Sequence, residues 1–178
     1  REKYGMEFTS PRMDEKENTD FIEEHKRLIF PLLKKRYCYS GVKDFEFFDV
    51  INDYSGTQEN VYAYANGYGS DRVFVIYNNS YSRAEGRMKK GAKKNNLING
   101  NRVISQSDFA SALKLESGKN KFMKYRTLSD SLYHIYPVSK IKREGYYIKL
   151  NGFETRVMEN ITTVTDTNGS YAKYFEVY

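Results

Sequence analysis

The chain is short of the residues that carry most covalent and metal chemistry, with one cysteine and two histidines in 178 residues. Cys38 alone cannot close an internal disulfide or assemble a thiolate metal site, so nothing indicates an oxidising compartment, and a reducing, cytoplasmic one is expected. A small buried thiol fits it better than a nucleophile. His25 and His134 have no grouped partners in sequence, which supports neither a metal centre nor a catalytic triad. No metal or cofactor is expected. Long apolar runs are also missing: nothing approaches the roughly 20 residues that a membrane-spanning helix needs, and no signal peptide opens the chain. Arg1 is not an initiator methionine, so a piece excised from a longer polypeptide is expected.

What is present is aromatic. Tyrosine (17) and phenylalanine (11) make up 16% of the chain, and such richness in short segments favours strands over helices. The expected fold is therefore mainly β. A length of 178 residues with 39% hydrophobic content suffices for one good core and leaves little for a second. The chain is organised around Glu59 to Ser80, where Val61 to Asn66 and Arg72 to Asn78 read as strands joined by the turn residues Gly67, Gly69, Ser70 and Asp71. Both strands carry apolar groups on both faces, which suits central strands.

Elsewhere the pattern is shorter-ranged. Asp20 with Glu23 resembles a helix cap, and Ile22, His25, Ile29, Leu32 and Leu33 recur at helical spacing, giving an amphipathic helix from Phe21 to Arg36 that Pro31 should kink. Phe45 to Tyr54 reads as one strand with an exposed face or edge. Ser107 or Asp108 can cap a short helix, Phe109 to Leu115. Lys121 to Arg126 and Leu132 to Tyr136 are candidate strands, and Pro137 can open a helical turn closed by Gly145. Asn151-Gly152 predicts a type I′ hairpin between Tyr146 to Leu150 and Glu154 to Ile161. A terminal strand pair, Thr162 to Asp166 with Tyr171 to Val177, would follow.

The net charge of +6 raises the question of a polyanion partner. Much of it lies in Arg87 to Lys94, RMKKGAKK, before the Asn-rich stretch Asn95 to Asn101. That composition reads as a solvated loop, no nucleic-acid module accompanies it, and nucleic acid is not an expected partner.

The central hairpin resembles the C-terminal domain of the α-amylase superfamily of glycoside hydrolases, in the Val-Tyr-Ala-Tyr strand Val61 to Tyr64, the turn Gly67 to Asp71, and the strand Val73 to Ser80 that ends in Asn and a small residue. Glu144 to Val157, EGYYIKLNGFETRV, is similar to the closing hairpin of those domains. Lys3 to Glu7 and His25 to Leu33 look like the end of the preceding catalytic barrel and its last helix, with Leu33 to Val50 as the junction. The resemblance implies a remnant of a (β/α) barrel over residues 1–36 and a C-terminal antiparallel β-sandwich over 37–178, carrying an insertion around 82–143. It also implies a parent enzyme that cleaves or transfers α-glucosidic bonds with an Asp nucleophile, a Glu acid/base and a further Asp. None of these carries over to this chain, which would begin after the strands that bear them. The implied partner is the catalytic barrel of the same parent chain, and the implied role is to steady it.

Local candidates for chemistry are thin. A retaining glycosidase needs two carboxyls about 5–5.5 Å apart, and the sequence neighbours Asp49 and Asp53, or Glu23 and Glu24, read as surface charge. Gly67-Tyr68-Gly69 fails as a dinucleotide fingerprint, because Arg72 holds the third glycine's place and a strand follows. Asp166, Asn168 and Ser170 alternate like calcium ligands but lack the closing Glu. Sugar rings stack on aromatic faces while a phenol adds a hydrogen bond, so Tyr54, Tyr68 and Tyr81, at strand ends or turn tips, are the candidate contacts to an α-glucan. Two other classes of function stay open: an independent carbohydrate-binding module using those tyrosines, and a polyanion-binding domain using Arg87 to Lys94.

Overall fold

The structure, a computed structural model, describes residues 16–177. They fall into two compact units, one within residues 1–34 and one within 35–178. Of the expected barrel-end segments, Lys3 to Glu7 lies outside the described residues.

In the first unit the single amphipathic helix expected over Phe21 to Arg36 is broken. Helix α1 (Thr19–Leu28) ends where the Pro31 ring would meet the carbonyl of Arg27 and where Pro31 has no N–H to donate. Helix α2 (Phe30–Lys34) restarts with Pro31 in its first turn, the position a helix tolerates. The cap is Asn18 rather than Asp20: its Oδ1 accepts from the Phe21 N–H at 3.1 Å, and Asp20 falls inside the first turn. His25 packs its ring 4.0 Å from that of Phe21.

The second unit is an antiparallel β-sandwich. After helix α3 (Arg36–Tyr39) come β1 (Glu46–Phe48), β2 (Ile51–Asn52), β3 (Gly56–Thr57), β4 (Val61–Tyr68), β5 (Asp71–Asn78), β6 (Ala84–Met88), β7 (Lys94–Ile98), β8 (Asn101–Ser105), helix α4 (Phe109–Ala112), β9 (Lys121–Thr127), β10 (Tyr133–Pro137), helix α5 (Val138–Glu144), β11 (Tyr146–Leu150), β12 (Thr155–Thr165) and helix α6 (Ser170–Val177). One sheet has six strands in the order β1-β4-β5-β12-β9-β10, a second has four in the order β11-β6-β2-β3, and β7 and β8 pair as a separate ribbon. As expected, the β4–β5 hairpin lies inside its sheet.

Three sequence expectations give way to the tertiary structure. The strand expected over Phe45 to Tyr54 is two strands in different sheets, β1 beside β4 and β2 beside β6, with the fully buried Val50 between them. The Asn151-Gly152 hairpin does not form: β11 pairs with β6, while β12 pairs with β5 and β9, so the turn is a corner between sheets. The terminal strand pair is absent too. Thr162 to Thr165 continue β12 beyond a register shift, with Asn160 at φ 53°, and residues 170–177 are helical.

The core fills the space between the sheets. Ala63, Ala65, Phe74, Ile76 and Met158 face Met88, Ile148 and Leu150 among the buried side chains of one apolar cluster. Helix α4 adds Phe109, whose ring lies 5.4 Å from Phe48, 5.1 Å from Phe74 and 5.2 Å from Tyr146, stacked on the last at 8°. Asp108 is its cap, with Oδ1 accepting from the Ser111 N–H at 3.0 Å and Oδ2 from the Ser111 hydroxyl at 2.5 Å. Burial alone would raise this carboxyl, but those hydrogen bonds and the Lys142 charge outweigh it and hold it below the ordinary 3.8. A carboxyl with a depressed folded pKa stabilises fully above its unfolded pKa and loses that contribution as pH falls through the folded value. Asp108→Ala is therefore expected to cost about 1 kcal/mol at neutral pH. Urea titrations below about pH 4 should show its gap to wild type closing.

The outer side of the six-stranded sheet, covered by helix α3 around Asn66 and open around Tyr62, is different in character. Phe47, Tyr64, Val75 and Val157 are register partners across β1, β4, β5 and β12 and form one half-buried row. Tyr62 and Tyr77 pair beside it, with Tyr62 47% exposed.

Candidate functional site

The three tyrosines singled out from sequence do not meet in one site. Tyr68 ends β4 opposite Asp71, whereas Val61, at the other end, pairs with Asn78. Seven residue steps separate those ends, roughly 24 Å at about 3.4 Å each. Tyr68 is exposed beside the hairpin tip, its ring 5.7 Å from that of Tyr37. Tyr54 and Tyr81 are tied by chain position to the opposite end, and both are almost wholly exposed.

At that opposite end the loops form an open depression of about 500 Å³, bounded by residues from 55–61, 78–80 and 82–84. The hydroxyls of Ser55, Thr57, Ser80 and Ser82 line it. So do the amides of Gln58, Asn60 and Asn78, together with one acid, Glu59, and one base, Arg83. Hydrogen bonds fix the walls. Asn78 Nδ2 donates to the carbonyls of Ser82 and Asn151, both at 2.8 Å, Asn79 N–H donates to the Asn60 carbonyl at 2.7 Å, and Gln58 Nε2 donates to Ser55 Oγ at 2.7 Å. Asn78 is fully buried, and its Oδ1 receives no protein donor. Beside this wall the Tyr81 ring packs edge-on against Phe153 with centroids 4.6 Å apart, and the Phe153 N–H donates to the Ser80 carbonyl at 3.0 Å. Sequence reasoning found Tyr54 and Tyr81 but missed the polar lining, because it comes from separate stretches that look like ordinary turn residues until the β4–β5 register brings them together.

A second polar group is buried near α3. Glu159, its side chain 3% exposed, accepts from the Tyr39 hydroxyl at 3.1 Å and faces Lys35 Nζ at 3.4 Å. Burial, followed by the Glu159 charge, pushes the Tyr39 phenol far above its ordinary value. Asn66 Nδ2 donates to the Tyr39 and Gly41 carbonyls at 3.0 and 2.8 Å, pinning the chain after α3 to β4. Cys38 is buried here as expected, and desolvation pushes its thiol up, away from the thiolate that a nucleophile requires. These groups hold structure together.

Several of the remaining candidates have structural partners. His134 Nε2 lies 3.0 Å from Asp130 Oδ2 and 3.5 Å from Thr127 Oγ1, so one ring nitrogen faces both partners and the two-ended relay of a triad is not made. Glu23 pairs with Lys26 at 2.7 Å on an exposed helix face. Asp166 Oδ2 accepts from Ala172 N–H and Asn168 Oδ1 from Ser170 N–H, which makes both of them caps of α6. Among the described residues, no three His, Cys, Asp or Glu side chains are grouped to hold a metal ion.

The basic run Arg87 to Lys94 is the loop that its composition suggests only in its middle, since strands claim both ends. Arg87 and Met88 belong to β6, Lys94 opens β7, and the ribbon turns through Asn99 and Gly100, both at positive φ. Several of its cations are engaged: Arg87 with Glu144 at 3.5 Å, Lys94 with Glu46 at 2.7 Å, and Lys89 Nζ with the Arg143 carbonyl at 2.7 Å. Strand pairing with β11 and β2 overrides the local preference of a charged, Gly-containing stretch.

The fold thus defines a class, an antiparallel β-sandwich module with a polar depression at one end. No protein-family model matches the chain, and no curated protein matches it. Among solved structures, a protein from Bacillus halodurans C-125, provisionally assigned as an alpha-N-acetylgalactosaminidase, aligns at TM-score 0.36 and 10% identity over 67% of this chain. The alignment covers 21% of that protein, and a likeness this loose carries no argument about fold or activity.

Proposed function

We propose that the second unit is the non-catalytic C-terminal β-domain of an α-amylase-like glycoside hydrolase acting on α-glucans, and that it steadies the catalytic barrel by packing its open sheet face on it. The observation that carries this reading is the half-buried row Phe47–Tyr64–Val75–Val157. A contiguous apolar patch of this kind is the mark of a surface that another body covers. The family-like segments Val61 to Ser80 and Glu144 to Val157 supply the identity of that body. Residues 35–177 hold the sandwich, and the ribbon β7–β8 lies within the stretch read as an insertion.

In a longer polypeptide that carries the preceding barrel, Val75→Lys is expected to lower the thermal midpoint of the whole. In this chain alone the same substitution should leave the circular dichroism melt almost unchanged, because Val75 is only half-buried here. This chain by itself should release no reducing sugar from soluble starch. Starch turnover abolished by a single substitution within residues 35–177, or an unchanged midpoint of the longer protein, would overturn the reading.

A further inference from the structure

The depression at the β4-start, β5-end of the sandwich has no part in packing the open face, and its chemistry points to a ligand of its own. We propose that it binds a neutral oligosaccharide, with Tyr81 as the stacking platform beside it. Its lining is dense in groups that both donate and accept: the hydroxyls of Ser55, Thr57, Ser80 and Ser82, and the amides of Gln58 and Asn60. A sugar ring offers adjacent hydroxyls that do the same, and hydroxyl and amide side chains are the matching partners. The charges argue against an anion or a metal ion. Glu59 and Arg83 bring one of each sign, so the site has no net cationic character for phosphate and too few carboxylates for a divalent cation. An apolar ligand fits no better, since Val61 and Ala84 are the apolar residues of the lining.

One further observation favours a ligand over idle surface. Tyr81 is 91% exposed yet held in place, its ring against Phe153 and its loop pinned by the Asn78 amide and by the Ser82 N–H donating to Ser80 Oγ at 3.1 Å. A large aromatic fixed in water loses little entropy on binding and presents an apolar face with a polar tip. The volume falls in the range of small-ligand clefts, about 300–1,000 Å³. The opening is shallow and polar, so affinity on the order of 1 mM is expected, about −4 kcal/mol.

The test is calorimetric titration of the 178-residue chain with maltohexaose, cellohexaose and mannohexaose, alongside inorganic phosphate. Saturable binding of at least one neutral hexaose is expected. Tyr81→Ala and Asn60→Ala, both at exposed positions, should each weaken it by about tenfold, equivalent to about 1.4 kcal/mol, with melting curves unchanged. Tyr68→Ala, at the far end of β4, should leave it intact. No binding of any hexaose, binding indifferent to both Tyr81→Ala and Asn60→Ala, or binding of phosphate alone would overturn the proposal. None of those outcomes bears on the open-face reading, which Val75→Lys tests separately.

Discussion

Asp44→Asn is expected to lower the unfolding free energy of this protein by about 3–5 kcal/mol, the range for stripping the counter-charge from a buried ion. The ion is Arg72, whose side chain is 1% exposed and whose Nη2 lies 3.4 Å from Asp44 Oδ2. Its Nη1 donates to the Asp71 carbonyl, while Nε and Nη2 make no hydrogen bond, so the guanidinium depends on the Asp44 charge more than on hydrogen bonding. Lys114 Nζ also reaches Asp44, at 3.5 Å, but is half in water and can rehydrate when the carboxylate is removed. Arg72 cannot. A double comparison makes the point sharp: Arg72→Met, which replaces the buried cation by an apolar chain, should cost far less than Asp44→Asn, because an apolar replacement removes the desolvation penalty together with the attraction. Urea unfolding followed by tyrosine near-ultraviolet dichroism measures both. Equal losses in the two variants would mean that Arg72 acts by packing rather than by charge.

Phe109→Ala should be comparably damaging, about 3–5 kcal/mol, although its helix is one of the shortest elements in the fold. The ring is 1% exposed and touches Phe48, Phe74 and Tyr146, drawing aromatic groups from both sheets onto one side chain. Truncation leaves a cavity whose lining belongs to rigid strands, so little of it can collapse. The same urea experiment checks this, and Phe109→Leu, which keeps most of the volume, should recover much of the loss. A loss below about 1 kcal/mol for Phe109→Ala would show that α4 is an ornament on the sandwich rather than part of its core.

These two positions also mark how legible the protein was. The short helix at Phe109 and its cap Asp108 follow from neighbouring residues, as do the β4–β5 hairpin, the β9–β10 pair, and the turn of helix that Pro137 opens and Gly145 closes. That Phe109 plugs the core, that Arg72 is buried rather than displayed, and that the basic run is held in strands at both ends could not be read in this way. Each depends on what approaches from elsewhere in the chain. The candidate site divides likewise: Tyr54 and Tyr81 are visible as aromatic residues near turns, but their separation from Tyr68 and their company of hydroxyls and amides follow from strand register.

The dipeptide Asn-Gly occurs four times in the chain, and its copies at 99–100 and 151–152 show the boundary most plainly. At the first, positive φ at both residues closes the β7–β8 ribbon, whose strands are almost entirely exposed and have no competing partner. At the second, the flanking strands carry buried Ile148, Leu150 and Met158, and they are drawn into opposite sheets, where β6 on one side and β5 and β9 on the other cover them. Sequence alone determined the β4–β5 hairpin, the Asp108 cap and the helical turn that Pro137 opens, since propensity, caps and turn chemistry act between neighbours. Tertiary structure decided which strands lie side by side and which polar residues share a depression, because burial rewards contacts between residues far apart in the chain and outweighs a turn's local preference of a kcal/mol or so.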